Sequence, residues 1–77
     1  MKTKDFFPMA AHILYDKVVI METDEFVLFT SQKTERQYLE VKSLNKFYWI
    51  RERVNKEELK FFLENTTAES FFLYLEL

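Results

Sequence analysis

A chain of 77 residues without one glycine has to make each of its turns from residues that carry a Cβ. An average sequence of that length holds about five glycines, and glycine is the default wherever a backbone takes positive φ or presses against a ligand. Phosphate-cradling loops, dinucleotide-binding turns and nucleophile elbows all depend on it, so none of them is present here in its usual form. The turns fall instead to Asn, Asp, Ser, Thr and Lys, notably at Asp24, Asn45 and Asn65. Asparagine is the side chain best able to enter the left-handed region in glycine's place, which singles out Asn45.

The length allows one hydrophobic core, hence one α+β domain over residues 1–77. At roughly 0.05 to 0.15 kcal/mol per residue, total stability is on the order of 4 to 12 kcal/mol. No cysteine is present to reinforce the fold, which fits a reducing cytoplasm. Aromatic residues make up 18% of the chain, nine of them Phe, and this bulk lets a short sequence bury a large area per residue. A formal net charge of −2 with 31% charged residues excludes both a disordered polyelectrolyte and a strongly basic nucleic-acid sleeve. No apolar run approaches the roughly 18 residues of a membrane span. The first residues carry lysines but no apolar run or cleavage site, which reads as mature, soluble protein.

Along the chain, Pro8 suits the first position of a short helix through Met9 to Tyr15, while Ile13 and Tyr15 at period two suit a strand from Ala11 instead. The β-branched run from Lys17 to Glu22 predicts a strand, followed by a turn at Thr23 to Glu25 and a second strand from Phe26 to Thr30. The polar stretch from Ser31 to Arg36 suits a hairpin connection. Strand three, from Gln37 to Lys42, alternates cleanly, with Leu39 and Val41 opposite Tyr38, Glu40 and Lys42. A turn at Ser43 to Asn45 leads to strand four, from about Lys46 to Val54. Asn55 as N-cap, Glu58 in capping-box position and Leu59, Phe62 and Leu63 at i, i+3, i+4 then predict a helix, ended by Asn65 to Thr67. Thr66 with Glu69 suits one more short helical turn. The alternation of Phe71, Leu73, Leu75 and Leu77 predicts a C-terminal strand. The expected architecture is a meandering antiparallel sheet of about four to five strands, with one amphipathic helix on one face and a final strand returning to the sheet.

Strand four carries the most informative side chains. Regular alternation separates Tyr48, Ile50, Glu52 and Val54 from Phe47, Trp49, Arg51 and Arg53, and the apolar character of Ile50 and Val54 places them toward the helix. Phe47, Trp49, Arg51 and Arg53 then form a row on the outer face, of residue types enriched in binding hot spots. The bland alternative packs Trp49 in the core with the arginines stacked over it. Asp24 and Glu25, with Glu22, make an acidic turn, whose spacing fits no metal loop and which suits electrostatic steering toward a basic partner surface.

No catalytic constellation is evident. His12 has no second imidazole and no nucleophile beside it, and Asp16 at i+4 only orients it if both lie on a helix. Phe6, Phe7, Phe61, Phe62, Phe71 and Phe72 form three doublets, whose rings cannot all face inward. With Phe62 and Phe71 inside, Phe61, Phe72 and Tyr74 need cover from Phe6, Phe7 and Met9, from a second protomer or from a target. Thirteen carboxylates and the lack of a glycine-containing RNA-recognition motif disfavour nucleic acid, although aromatic residues beside arginines on a sheet suit single strands. The chain reads as a non-enzymatic cytoplasmic module without cofactor or metal that binds another protein, the alternatives being a sheet for single-stranded nucleic acid or a structural subunit of a homo-oligomer. Isolated domains of this size and composition are common among antitoxins, immunity proteins and phage-encoded antagonists of bacterial defence, all of which act by occluding a partner.

Overall fold

The computed structural model describes residues 2–10 and 16–76. These form five strands, β1 (Phe6–Met9), β2 (Lys17–Glu22), β3 (Phe26–Ser31), β4 (Gln37–Val41) and β5 (Lys46–Ile50), and then two helices, α1 (Lys56–Glu64) and α2 (Ala68–Leu75). All strand pairs are antiparallel, in the order β1-β5-β4-β3-β2. The meander expected from Lys17 onward is therefore present, and β1 closes the far edge beside β5. A small α+β domain with one antiparallel sheet is the result.

Alternation along the strands sorts the side chains into two faces. Phe6, Ile50, Tyr48, Leu39 and Leu28 share a single buried cluster with Leu59 and Leu63 of α1 and Ala68 and Phe71 of α2, so both helices cover the same side of the sheet. β3 is buried along most of its length on both sides, with Phe26, Val27, Leu28 and Phe29 all inaccessible, as its unbroken apolar run requires. Phe71 sits at the middle of the core, its ring edge-on to Phe6, Phe26 and Tyr48 at centroid distances of 5.2, 5.7 and 5.5 Å. α1 starts where its sequence says, with the Asn55 side chain accepting the Glu58 N–H at 3.0 Å.

Three expectations need correction. The C-terminal segment is a helix rather than a strand: Thr67 accepts the Ser70 N–H at 3.1 Å as its N-cap, and Ala68, Phe71 and Leu75 turn toward the core at helical spacing. Leu73, which a strand would have buried with Phe71, is 60% exposed. The edge position beside β5 that a returning strand would need is already taken by β1. Secondly, Pro8 starts no helix. It lies within β1 opposite Tyr48, and an edge strand tolerates its missing N–H. Met9 belongs to the same strand, and the alternatives weighed for residues 11–15 fall outside the described residues. Thirdly, β5 stops at Ile50. Beyond it the chain turns, with Val54 N–H bonded to the Arg51 carbonyl at 3.1 Å, and Val54 drops into the core.

Two residues with a Cβ occupy the left-handed region among those described. Asn45 does so at φ 51° and ψ 43° after a 3₁₀ turn over Lys42–Leu44, in the role its side chain suggested. Glu35, at φ 59°, does so without asparagine's local hydrogen bonding, at a cost of roughly 1 to 2 kcal/mol. Glycine at this position removes the clash and loses more freedom on folding, so Glu35→Gly is expected to raise stability by a net of roughly 0.5 kcal/mol in urea unfolding. A loss of stability would show that the Glu35 side chain contributes more than its backbone costs.

Candidate functional site: the outer face of the sheet

With Tyr48 and Ile50 buried against the helices, Phe47 and Trp49 come out on the opposite face, as the alternation of β5 implies. The strand register then assembles a row that no single strand contains. Phe7 of β1, Trp49 of β5, Tyr38 of β4, Phe29 of β3 and Val19 of β2 lie directly opposite one another across the whole sheet. Phe7 and Trp49 stack at 4.2 Å with planes 14° apart, and Phe29 and Tyr38 at 5.5 Å and 16°. Offset ring pairs of this kind add about 0.5 to 1.5 kcal/mol each beyond the area they bury.

Cations lie over these rings. The Arg51 guanidinium is 4.9 Å from the centroid of Phe7, that of Arg36 is 4.9 Å from Trp49, and the Lys17 ammonium is 4.3 Å from Phe29. Each contact holds a long side chain in a preferred place for about 0.5 to 1 kcal/mol. Beyond the aromatic row, Met9, Phe47, Glu40, Val27 and Glu22 make a second row in register. Glu22 pairs with Lys42, whose hydrogen bond and charge hold the Glu22 carboxyl below its ordinary range.

No protein-family model, curated protein or solved structure matches this chain. Its surfaces therefore have to be read from their own chemistry.

Not all of the predicted contact residues share the face. Phe47 and Trp49 lie on it half-buried, and Arg51 is exposed at its edge. Arg53, which follows the end of β5, donates from Nε and Nη2 to Asp5 Oδ1 at 3.2 and 2.9 Å, and Arg51 Nε approaches the same oxygen at 3.3 Å. The Asp5 side chain is only 3% exposed. Asp24 and Glu25 are elsewhere: their turn borders the α1–α2 junction at Leu63–Thr67, away from the aromatic row. Thr23 Oγ1 accepts the N–H groups of Glu25 and Phe26 at 3.3 and 3.0 Å, so the turn is built by the threonine. An acidic complement to Trp49 from this turn is thus not part of the same surface.

Phe7, Phe29, Arg36 and Tyr38 were missed as members of the face. Alternation alone puts Tyr38 opposite Leu39 and Val41, and only the pairing of β4 with β5 through the turn at Lys42–Asn45 sets it beside Trp49. Phe7 required Phe6–Met9 to be recognised as a strand, which the proline obscured. Asp16 also has a different role from the one weighed for it. Its carboxylate accepts the Ser31 hydroxyl at 2.5 Å and the Lys33 N–H at 3.0 Å; these bonds fasten the β3–β4 connection and lower its pKa. His12 lies outside the described residues.

Of the three aromatic doublets, those at Phe6–Phe7 and Phe71–Phe72 find contacts within the chain. Phe6 reaches Phe62 and Tyr74 at 6.5 and 6.3 Å, and Phe72 packs against the core. Phe7 and Met9 give no cover there, because they belong to the other face. Phe61 remains 70% exposed. Among the described residues, no group of three His, Cys, Asp or Glu side chains is placed to hold a metal ion, and no helix is long and apolar enough to cross a membrane.

Proposed function

We propose that this chain is a small non-enzymatic protein-binding module of the cytoplasm, an inhibitor or antagonist that occludes a partner protein with the outer face of its sheet. The observation that carries this reading is the cross-strand aromatic row with guanidinium groups fixed over it. Half-buried aromatic residues beside arginine combine large contact area, little entropy left to lose and directional donors, the features of interface hot spots. The aromatic residues of the row sit on β-strands rather than loops, which makes them rigid before the partner arrives. The type of antagonist, whether antitoxin, immunity protein or phage anti-defence factor, is drawn from size and composition alone.

Single-stranded nucleic acid on the same face has Lys17, Arg36 and Arg51 in its favour. Against it, Phe7 and Trp49 stack on each other and each carries a guanidinium, which leaves few free ring faces for bases to stack on. Recovery of interacting proteins with tagged chain, run beside Trp49→Ala, tests the protein reading. Trp49→Ala is expected to weaken capture at least about thirtyfold, as an anchor worth about 2 kcal/mol or more requires, with the circular dichroism spectrum unchanged. Equal capture by both proteins, or retention of single-stranded RNA or DNA in a low-salt filter assay, would overturn it.

A further inference from the structure

We infer that the depression lined by Arg36, Trp49, Arg51, Glu52 and Arg53 is a receptor for a carboxylate, filled by an acidic side chain on the partner protein. The inference deepens the protein-binding reading and rests on it. Three arginines line this one depression, and the guanidinium of each is held in place by something other than a ligand. Arg36 lies over Trp49, Arg51 lies over Phe7 and reaches Asp5, and Arg53 is bonded to Asp5.

The internal pairing does not exhaust their donors. Asp5 meets both Arg51 and Arg53 through Oδ1 alone, because Oδ2 accepts the Lys2 N–H at 2.9 Å. Arg36 has no carboxylate partner among the described residues, and its Nε is covered without an acceptor. Among the described residues its Nη groups meet no acceptor either. A guanidinium that is already oriented loses little entropy on taking a carboxylate, and two parallel N–H···O bonds give such a pair its strength.

Charge selects the class of ligand. Asp5 and Glu52 set two negative charges against the three arginines, so the site has an excess of one positive charge, matched by a single carboxylate. A phosphodiester strand brings a charge at each nucleotide and meets Glu40 farther along the same face, a carboxylate that no cation neutralises among the described residues. Trp49 at the wall adds apolar surface for whatever flanks the acid. The occupant is therefore an acidic segment of a protein, with an aspartate or glutamate seated among the arginines.

Trp49 is the only tryptophan, so its emission reports on this site directly. The test titrates the full chain at low salt with a short, otherwise uncharged peptide carrying a single glutamate, with the same peptide carrying lysine at that position and a twenty-nucleotide thymidine strand in parallel. Saturable change with the glutamate peptide alone is expected, and Arg36→Gln, which breaks no ion pair seen among the described residues, is expected to weaken its midpoint about tenfold. No change with the glutamate peptide, an equal response to the lysine peptide, a midpoint unaltered in Arg36→Gln or tighter binding of thymidine would each overturn the inference. Partner capture separates this failure from failure of the underlying reading. If Trp49→Ala loses the captured protein and Arg36→Gln keeps it, the face binds protein without the carboxylate receptor; if Trp49→Ala keeps it, the face itself is wrongly assigned.

Discussion

Phe71→Ala is expected to leave a large part of the population unfolded at room temperature. Phe71 is wholly inaccessible, and its ring meets the edges or tilted faces of Phe6, Phe26, Tyr48, Phe62 and Phe72. It joins β1, β3 and β5 to both helices. Truncating a buried phenylalanine costs about 3 to 5 kcal/mol, because the cavity left behind closes only in part. A chain this short has only about 4 to 12 kcal/mol in total. Urea unfolding followed by circular dichroism measures the loss, and one below about 1 kcal/mol would place Phe71 outside the core. Leu73→Ala is the control, because a strand would bury Leu73 beside Phe71 whereas α2 leaves it exposed. Its effect is expected within about 0.5 kcal/mol.

That pair of substitutions also shows where the sequence was legible and where it was not. Elements with one strong local signal read correctly: the clean alternation of Gln37 to Val41, the β-branched run of β2, the Asn55 cap of α1. Phe71 to Leu75 carry apolar residues that fit period two and period 3.6 about equally, and such runs are decided by tertiary space. Here β1 occupies the edge that a final strand would have needed, and the Thr67 cap starts a helix. β1 itself was obscured because Pro8 reads as a helix start in isolation and becomes acceptable in a strand only once that strand is known to be an edge. The candidate surface was half legible for the same reason. Phe47, Trp49 and Arg51 follow from alternation within β5, but Phe7, Tyr38 and Phe29 join them only through strand register, a property of pairs of segments. Regular alternation carries β5 four residues past its end at Ile50; Arg53 instead follows the turn and reaches the rim beside Trp49 with its side chain bonded to Asp5.

Asp5 is the second residue whose replacement should matter greatly, and it carries no sequence signal at all. It is buried beneath the face, with the Lys2 N–H on one oxygen and Arg51 and Arg53 on the other; its own carbonyl accepts the Arg51 N–H at 2.9 Å. These bonds tie the start of the chain to the segment that leads into α1. Burial pushes the Asp5 carboxyl upward, but the Lys2 N–H, the hydrogen bond and charge of Arg53 and the charge of Arg51 outweigh it and hold the group below its ordinary value. A carboxyl that binds its proton less tightly when folded stabilises the fold fully above its unfolded pKa and loses that contribution as pH falls through the lower, folded value. Asp5→Asn keeps the shape and removes the charge, so it is expected to cost about 2 kcal/mol near neutral pH, the scale of hydrogen bonds to a charged group. As the wild-type carboxyl is itself protonated, the difference between the two proteins should shrink, and urea midpoints compared at neutral pH and below about pH 3 read this out. Asp16 and Glu22, whose pKa values are also lowered, are present in both proteins and cancel in the comparison. A gap between wild type and Asp5→Asn that stays constant with pH would mean that the residue acts through its shape, and that its charge adds nothing to the hold on Arg51 and Arg53.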